Sequence, residues 1–385
     1  MRISHVELYS WKNFRKVNVA LPDRVFLVGP NASGKSNFLD ALRFVRDLAA
    51  PGGGLQRAVL ERGGVSKIRC LAARQDPAVG IKVDLAEGNR TVWSYEIKFN
   101  QQPRGNRLPT LTKETVWRNK EIILERPNAD DRADEPRLTQ TALEQINLNV
   151  DFREMAQFLE RISYLHLVPQ LIRNRADLGS GNGGLSEAYG RHFLERLAKT
   201  NDKTLNARLR RIREALAIAV PQLKELSLER DARGVPHLIG AYEHWRPRAA
   251  KQNEEQFSDG TLRLLGLLWS LQEGEGPLLL EEPELSLHSG VIRRLPSLIY
   301  RIQRARNRPV RQVLISTHSV DLLTDQGIGG EEILMLVPSP EGTQVKVAAT
   351  VPEIVELMQA GMTAAEAVIP HTEPANLLQL ELFKL

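Results

Sequence analysis

Eight residues near the amino terminus have the types and spacing needed to bind phosphate. Residues 29–36 read Gly-Pro-Asn-Ala-Ser-Gly-Lys-Ser, between the apolar segment 25–28 and the helical pattern NFLDALRFVRDLAA. Glycines allow backbone N–H groups to turn inward around phosphate oxygens, and the start of a helix adds its positive dipole end. Lys35 supplies a point charge and Ser36 a hydroxyl for Mg²⁺. Because an ordinary glycine turn does not explain the Lys-Ser pair, the spacing predicts a nucleotide-binding P-loop.

Two adjacent carboxylates and a histidine end two later apolar segments. Glu281 and Glu282 follow the run PLLL, and His318 follows the run QVLIST. Carboxylates at the end of a buried strand cost desolvation energy unless a cation or a proton relay uses them. By position we expect Glu281 to hold Mg²⁺ through water, Glu282 to polarise an attacking water, and His318 to reach a γ-phosphate. A chance pair of surface glutamates would not need the apolar run before it.

The order of these motifs resembles ATP-binding-cassette ATPases of the RecF, SMC and OLD (overcoming lysogenization defect) type. The phrase ISHVELYSWKNFRKV resembles their opening strand and NF phrase, and QFSDGTLRLL resembles their signature loop, with Ser258 and Gly260 matching LSGGQ. A serine hydroxyl and a glycine N–H at a helix start form a second anion site. The resemblance implies that this site closes over the γ-phosphate held by another protomer. One P-loop and one signature per chain therefore imply an ATP-dependent homodimer, with a higher assembly left open.

The resemblance also implies catalytic roles. Lys35 matches the Walker A lysine, Glu282 the catalytic glutamate and His318 the switch histidine. Glu281 matches the Walker B acid, although many relatives have aspartate there. The longer side chain shifts the Mg²⁺ waters, so turnover is expected to be slow. His288 stands where transporters usually have aspartate, which leaves its role open.

The same resemblance implies a nucleotide and metal contact set, with ATP and Mg²⁺ as cofactors. The Q-loop glutamine is placed at Gln170, because a strand followed by Val-Pro-Gln precedes the helical segment, and Gln75 is the rival. The expected ATP contacts are Asn31, Ala32, Ser33, Gly34, Lys35, Ser36, Asn37, Gln170, Ser258 and Gly260. The expected Mg²⁺ contacts are Ser36, Gln170 and Glu281.

The elements that position these residues follow an α/β order. We predict a P-loop NTPase fold, an ABC ATPase head, with an inserted antiparallel β lobe and a helical signature lobe. The β lobe is predicted from short alternating segments between residues 65 and 125 that are separated by turn residues. The expected segments are 1–60 (amino-terminal half of the ATPase core, with Walker A), 61–160 (β-rich lobe), 161–255 (Q-loop and helical lobe), 256–340 (carboxy-terminal half of the ATPase core, with the signature, Walker B and switch histidine) and 341–385 (C-terminal tail).

Several local elements are predicted around this core. The pattern indicates helices near 151–161, 185–199 and 203–219, and a hairpin that pairs LKELSLERD with HLIGAYEHW. The segment ISYLHLVPQ predicts a buried strand that ends at Pro169 and Gln170. The acid-rich piece 128–136 predicts a surface loop.

Composition narrows the class of protein. The 52 Lys and Arg against 47 Asp and Glu give a net charge of +5, and 42% hydrophobic residues suffice for a sizeable core. No run of about 18 apolar residues occurs, and the amino terminus lacks the apolar block of a signal peptide. The single cysteine, Cys70, agrees with a reducing compartment. We therefore expect a cytoplasmic protein with no membrane partner.

Three hypotheses concern the output of the ATP cycle. The first is a switch that controls a separately encoded effector, such as a nuclease or toxin, in phage defence. The second is a RecF-like or SMC-like DNA-maintenance ATPase that binds DNA directly. The third is a scaffold that binds ATP tightly and hardly hydrolyses it, which Glu281 in place of aspartate favours.

Basic clusters and the length of the tail bear on these hypotheses. Between residues 171 and 215 ten Lys or Arg stand against five acids, a balance that suits phosphate contacts. A second cluster consists of Arg301, Arg304, Arg306, Arg308 and Arg311. The resemblance to OLD-type nucleases implies a TOPRIM nuclease domain after the ATPase, which needs about 100 residues and a Glu followed by a DxD pair for metal. Only 62 residues follow Leu323 and none forms DxD, so a nuclease domain in the same chain is not expected. The apolar tail is predicted to pack on its own core or to dock a partner.

Overall fold

The computed structural model describes residues 1–73, 78–102, 107–173, 190, 192–243, 251–304 and 310–372. The chain divides into two compact units. The first unit comprises Met1–Ser163, Glu275–Leu279 and Pro309–Leu385, and the second comprises Tyr164–Gly274 and Leu280–Arg308. The segments expected to form the β-rich lobe and the C-terminal tail therefore belong to the first unit, and most of the expected helical lobe belongs to the second.

The described elements alternate between strands and helices over much of the chain. The strands are β1 (Arg2–Trp11), β2 (Phe14–Ala20), β3 (Arg24–Val28), β4 (Val79–Glu87), β5 (Arg90–Gln101), β6 (Pro109–Arg118), β7 (Glu121–Arg126), β8 (Ser163–Leu165), β9 (Leu223–Arg230), β10 (Pro236–Tyr242), β11 (Lys251–Asn253), β12 (Leu278–Glu281), β13 (Val313–Thr317), β14 (Ile333–Val337) and β15 (Gln344–Val347). The α-helices are α1 (Lys35–Ala49), α2 (Leu55–Leu60), α3 (Val65–Ile68), α4 (Ala129–Ala133), α5 (Arg153–Glu160), α6 (Pro169–Arg173), α7 (Phe193–Lys199), α8 (Asp202–Ala219), α9 (Asp259–Gln272), α10 (Ser289–Ile292), α11 (Leu295–Gln303), α12 (Val320–Leu323), α13 (Pro352–Gln359) and α14 (Ala364–Val368).

An antiparallel sheet in the first unit has the order β2-β1-β4-β5-β6-β7. Alternation of apolar and polar residues explains its two faces: Ile81 and Val83 are buried, whereas Lys82 between them is not. The predicted antiparallel segments thus form strands, and β4 also pairs with β1, with Val6 opposite Val83. The predicted β lobe is therefore one sheet with the amino-terminal hairpin. This pairing joins strands about 75 residues apart, which no local pattern encodes.

Most residues of 128–136 lie at the surface as predicted, but the prediction of a loop was wrong. Residues Ala129–Ala133 form helix α4, which begins with a capping box between Asn128 and Asp131. Asp131 is fully buried and pairs with Arg126 at 2.8 Å, and Arg126 pairs with the buried Glu114 at 3.0 Å. Acid-rich composition predicts solvent exposure, but buried carboxylates are retained where cations and backbone donors pair with them.

The second sheet has the order β15-β14-β3-β13-β12-β8, and the boundary between the two units passes within β8 and β12. In the first unit, β13 and β14 lie parallel to β3, with Thr317 opposite Val28. All five residues of β3 are buried, as expected for a central parallel strand. Parallel strands end at the same edge, so the segments that follow β3 and β13 lie at one edge of this sheet.

The second unit combines helices with a small antiparallel sheet of order β11-β10-β9. The predicted hairpin is confirmed, since β9 pairs with β10 from Arg230 opposite Pro236. Helix α7 packs on α9 through Phe193, whose ring meets that of Trp269 edge-on at 6.5 Å. No helix among the described residues is long and apolar enough to span a membrane.

Candidate nucleotide-binding site

The P-loop, residues 29–36, connects β3 to α1 in the first unit. Gly34 precedes the helix with a φ of +100°, a left-handed conformation that glycine adopts without a Cβ clash. Lys35 is 7% exposed, and its Nζ donates to the carbonyls of Gly29 at 2.8 Å and Pro30 at 3.0 Å. These bonds hold the ammonium group against the loop. Asn31, Ala32 and Ser36 are exposed, and Asn37 is half-buried.

The start of α1 fits a phosphate group. Gly34 gives the helix no side-chain cap, and no acidic residue stands in its first turn. The positive end of this 15-residue helix is therefore not neutralised by its own side chains. The buried Ser33 hydroxyl has no hydrogen-bond partner among the described residues, so it can donate to a phosphate oxygen. The loop thus has the donors that the sequence predicted.

His318 lies beside the P-loop strand within the first unit. It follows β13 directly, and the last residue of β13, Thr317, is opposite Val28, the last residue of β3. The P-loop and His318 therefore begin at neighbouring strand ends. The His318 side chain is exposed. Its role as the switch histidine stays a prediction.

The two adjacent glutamates lie in the second unit and differ in their backbone. Glu281 ends β12 and accepts a hydrogen bond at Oε2 from the hydroxyl of Tyr164. Glu282 has a φ of +44°, in the left-handed region that non-glycine residues seldom adopt. Such strain costs of order 1 kcal/mol and recurs at functional sites. The two carboxyl groups are thus held by different local structure.

Gln170 lies in a helix rather than at a strand end. Strand β8 stops at Leu165, and Pro169 begins helix α6, where its fixed φ and missing N–H fit the first helical position. The Gln170 Nε2 donates to Oδ2 of Asp259 at 3.3 Å. The predicted strand was too long because its apolar pattern continued to the proline. The rival Gln75 lies outside the described residues.

The signature loop of the second unit begins helix α9. Ser258 is its exposed N-cap and accepts from the Thr261 N–H at 3.1 Å. A Cβ at residue 260 would lie 2.6 Å from the Ser286 carbonyl oxygen, so close backbone packing requires Gly260. Asp259 in the first turn would repel an anion, but Arg173 Nη1 pairs with it at 2.6 Å. In the predicted second anion site, the negative charge of Asp259 is therefore balanced by the positive charge of Arg173.

Two further residues of this unit were missed by the sequence analysis. Arg173, which also donates to the Phe257 carbonyl at 2.5 Å, was counted only as one base in a cluster. Burial lowers the pKa of Arg263 in α9, and the carboxylates of Asp259 and Glu282 partly offset this effect. The contacts of Arg173 join distant segments, so no local sequence signal marked them. Asp259 and Arg263 are four residues apart on α9, and this spacing could have marked their interaction. His288 is the N-cap of α10, where it accepts from the Gly290 N–H at 3.1 Å.

The donor chemistry fits Mg²⁺ only together with phosphate. No group of three or more His, Cys, Asp or Glu side chains suited to a metal occurs among the described residues. Magnesium commonly keeps several waters and binds one or two carboxylates plus substrate phosphates. The Ser36 hydroxyl, the Glu281 carboxylate and the Gln170 amide oxygen are the hard oxygen ligands that this ion prefers.

Two solved structures with a TM-score of 0.50 show the same fold at low sequence identity. The SmcHead bound to the C-winged helix domain of ScpA shares 15% identity at a TM-score of 0.50, over 90% of this chain and 98% of that one. An Smc head domain with an extended coiled coil, bound to the C-terminal domain of ScpA derived from Pyrococcus furiosus, shares 14% at 0.50, over 93% and 99%. The SMC head domain from Thermotoga maritima shares 16% at 0.46, over 90% and 99%. No curated protein matches the sequence.

A protein family also matches most of the chain. The family described as "AAA domain, putative AbiEii toxin, Type IV TA system" matches residues 24–325. That span contains the P-loop, the signature loop, both glutamates and His318. The likeness to SMC heads confirms the predicted α/β P-loop fold. The chain belongs to this AAA family, and its fold is that of an ABC-type ATPase head.

Proposed function

We propose that this ATPase is a switch in which two chains join around ATP and separate after hydrolysis. The change between the joined and the separated state controls a separately encoded effector, such as a nuclease or toxin, in phage defence. The observation that carries the proposal is that each chain holds one P-loop, in the first unit, and one signature loop, in the second. The family's description as a toxin–antitoxin component supports a defence role.

Different side chains carry out different parts of ATP binding and hydrolysis. Lys35 and the first N–H groups of α1 hold the phosphates, and Glu282 accepts the proton of the attacking water. His318 donates to the γ-phosphate as charge develops on its oxygens. Ser36, Glu281 and Gln170 would hold Mg²⁺, and the bound ion would neutralise phosphate charge. Tyr164 orients Glu281.

The proposal includes a partner protein, the effector that this ATPase controls. The solved SmcHead is bound to the C-winged helix domain of ScpA, so a head of this fold can hold a second protein. We expect the effector to bind this ATPase in one nucleotide state. Co-purification of the protein with the products of neighbouring genes, with ATP and then with ADP, tests this step. An effector retained equally in both states contradicts the switch.

ATPase assays separate the switch from the low-turnover scaffold. Wild-type protein is expected to hydrolyse ATP slowly, and Lys35→Ala and Glu282→Gln are each expected to abolish turnover, because one removes phosphate binding and the other the base. Binding of a fluorescent ATP analogue distinguishes the variants, since only Lys35→Ala should lose it. Turnover that does not depend on Lys35 would contradict the switch, and tight binding without turnover would favour the scaffold.

Exposed bases on the second unit support DNA binding as a second candidate function. Lys199 ends α7, and Lys203, Arg210 and Arg211 lie on α8, all exposed. Arg208 of the same helix is half-buried, with its guanidinium 5.1 Å above the Trp269 ring. Replacing Lys203, Arg210 and Arg211 by glutamine is expected to weaken DNA binding and reduce its salt dependence. Wild-type protein that binds no DNA at low salt would exclude this function.

A further inference from the structure

Asn13 lies between β1 and β2 and contacts the P-loop of the first unit. Its Nδ2 donates to the Ser33 carbonyl at 2.8 Å and to the Thr343 Oγ1 at 2.7 Å. Its Oδ1 accepts from Nδ2 of Asn37, on the first turn of α1, at 2.8 Å. Both amide hydrogens and the amide oxygen are therefore used, which fixes the orientation of this side chain.

Thr343 completes the contact from the other end of the chain. Its hydroxyl donates to the Ser33 carbonyl at 2.9 Å, and its N–H donates to the Asn13 carbonyl at 2.8 Å. The preceding Gly342 has a φ of +104°, and a Cβ there would lie 2.6 Å from the backbone carbonyl oxygen of Asn13. Residue 342, just before β15, must therefore be glycine for Thr343 to approach the Ser33 carbonyl of the P-loop. Two side chains from distant segments converge on one carbonyl.

The held carbonyl determines where the next N–H points. Because a trans peptide is planar, the Ser33 carbonyl and the Gly34 N–H point in opposite directions. Fixing the carbonyl toward Asn13 and Thr343 directs the Gly34 N–H to the opposite face of the loop. A Cβ at residue 34 would lie 2.1 Å from the Asn13 Nδ2, so the same side chain also requires glycine there.

We propose that Asn13 and Thr343 are positioning residues that preset the P-loop for phosphate. They hold the Ser33 carbonyl through contacts within the chain, so ATP binding does not have to reorganise this peptide. The inference rests on the proposed ATP-binding function. It gives a physical role to Asn13, the asparagine of the NF phrase, and to Thr343.

The test compares three threonine variants of the full chain. Thr343→Val keeps the shape and removes the hydroxyl, and Thr343→Ser keeps the hydroxyl. Thr350→Val is the matched control, because the Thr350 hydroxyl donates to a local carbonyl, that of Val347, at 2.7 Å. The affinity for a fluorescent non-hydrolysable ATP analogue is measured with Mg²⁺, together with Tm without nucleotide.

Thr343→Val is expected to raise the Kd about tenfold, since the hydrogen bonds of the Thr343 hydroxyl to Ser33 and from Asn13 are lost together with the order of the loop. Thr343→Ser and Thr350→Val should bind as wild type does. In the ATPase assay KM should rise more than kcat falls. Asn13→Asp, which replaces a donor by an acceptor facing the Ser33 carbonyl, should weaken binding at least as much.

Two results would overturn the inference. One is wild-type affinity in both Thr343→Val and Asn13→Asp. The other is the same loss of affinity in Thr343→Val and Thr350→Val, following the fall in Tm of each variant. That result would indicate general destabilisation. A wild-type protein that binds no ATP would instead contradict the proposed function itself.

Discussion

At the scale of single residues, the contact between Tyr164 and Glu281 bears on metal binding. Glutamate reaches farther than aspartate, and a longer side chain has more rotamers to lose. The Tyr164 hydroxyl donates to one carboxylate oxygen and limits that freedom. The pairing therefore compensates for the flexibility of the longer acid.

Tyr164→Phe is expected to raise the Mg²⁺ concentration needed for half-maximal ATPase activity about threefold to tenfold, since one hydrogen bond to a charged group is lost. Tyr242→Phe, in β10 of the same unit, is the matched control and should not change it. The measurement is a Mg²⁺ titration at saturating ATP, with calorimetric Mg²⁺·ATP binding as a second readout. An unchanged Mg²⁺ dependence in Tyr164→Phe would sink this role.

At the scale of elements, an ion pair connects helix α6 to the start of helix α9. Asp259 stands in the first turn of α9, where the proposed partner phosphate would approach, and Arg173 of α6 pairs with it. Arg173→Ala leaves the carboxylate uncompensated and is expected to weaken ATP-dependent association about tenfold. Adding Asp259→Gly should restore association. Failure of the double variant to recover would contradict this explanation.

Helix α1 carries a second charge network. Burial would raise the pKa of Asp40, but Arg62, Lys12 and Arg43 lower it below its ordinary 3.8. Because the folded-state pKa is depressed, ionised Asp40 stabilises the fold above about pH 4, and this stabilisation is lost as the pH falls through the folded-state value.

Asp40→Asn is expected to lower the free energy of unfolding by about 2 kcal/mol at pH 7, since Arg62 still keeps Asp47 at 2.9 Å. The difference from wild type should shrink below pH 4. Urea unfolding at several pH values measures it, with Asp23→Asn, whose partly exposed side chain pairs with Arg2 at 3.4 Å, as the control. A difference that does not depend on pH would contradict the assignment.

Local signals in the sequence were enough for the core elements and the P-loop. The motif at 29–36, the apolar runs before Glu281 and His318, and the hairpin after Leu223 depend on neighbouring residues and were predicted correctly as elements. The joining of β4 to β1, the buried Asp131 and the contacts of Asn13 and Tyr164 were not predictable. Each depends on segments distant in the chain, or on a buried charge whose partner decides its place.

At the scale of the whole molecule, the motifs of one ATP cycle are divided between two compact units. The first contains the P-loop and His318, and the second contains the signature loop and Glu282. Because each chain has one of each motif, two chains together have the components of two ATP sites. This count, rather than the net charge of +5, carries the proposal of an ATP-driven dimer.

The most direct test is the mass of Glu282→Gln in solution with ATP and Mg²⁺. This variant keeps one side-chain carbonyl oxygen but cannot accept the proton of water, so it should hold ATP without hydrolysing it. Light scattering after size-exclusion chromatography is expected to give twice the monomer mass with ATP and the monomer mass with ADP. Glu282→Gln combined with Lys35→Ala is the control and should remain monomeric. A Glu282→Gln protein that binds ATP yet stays monomeric would contradict the dimer.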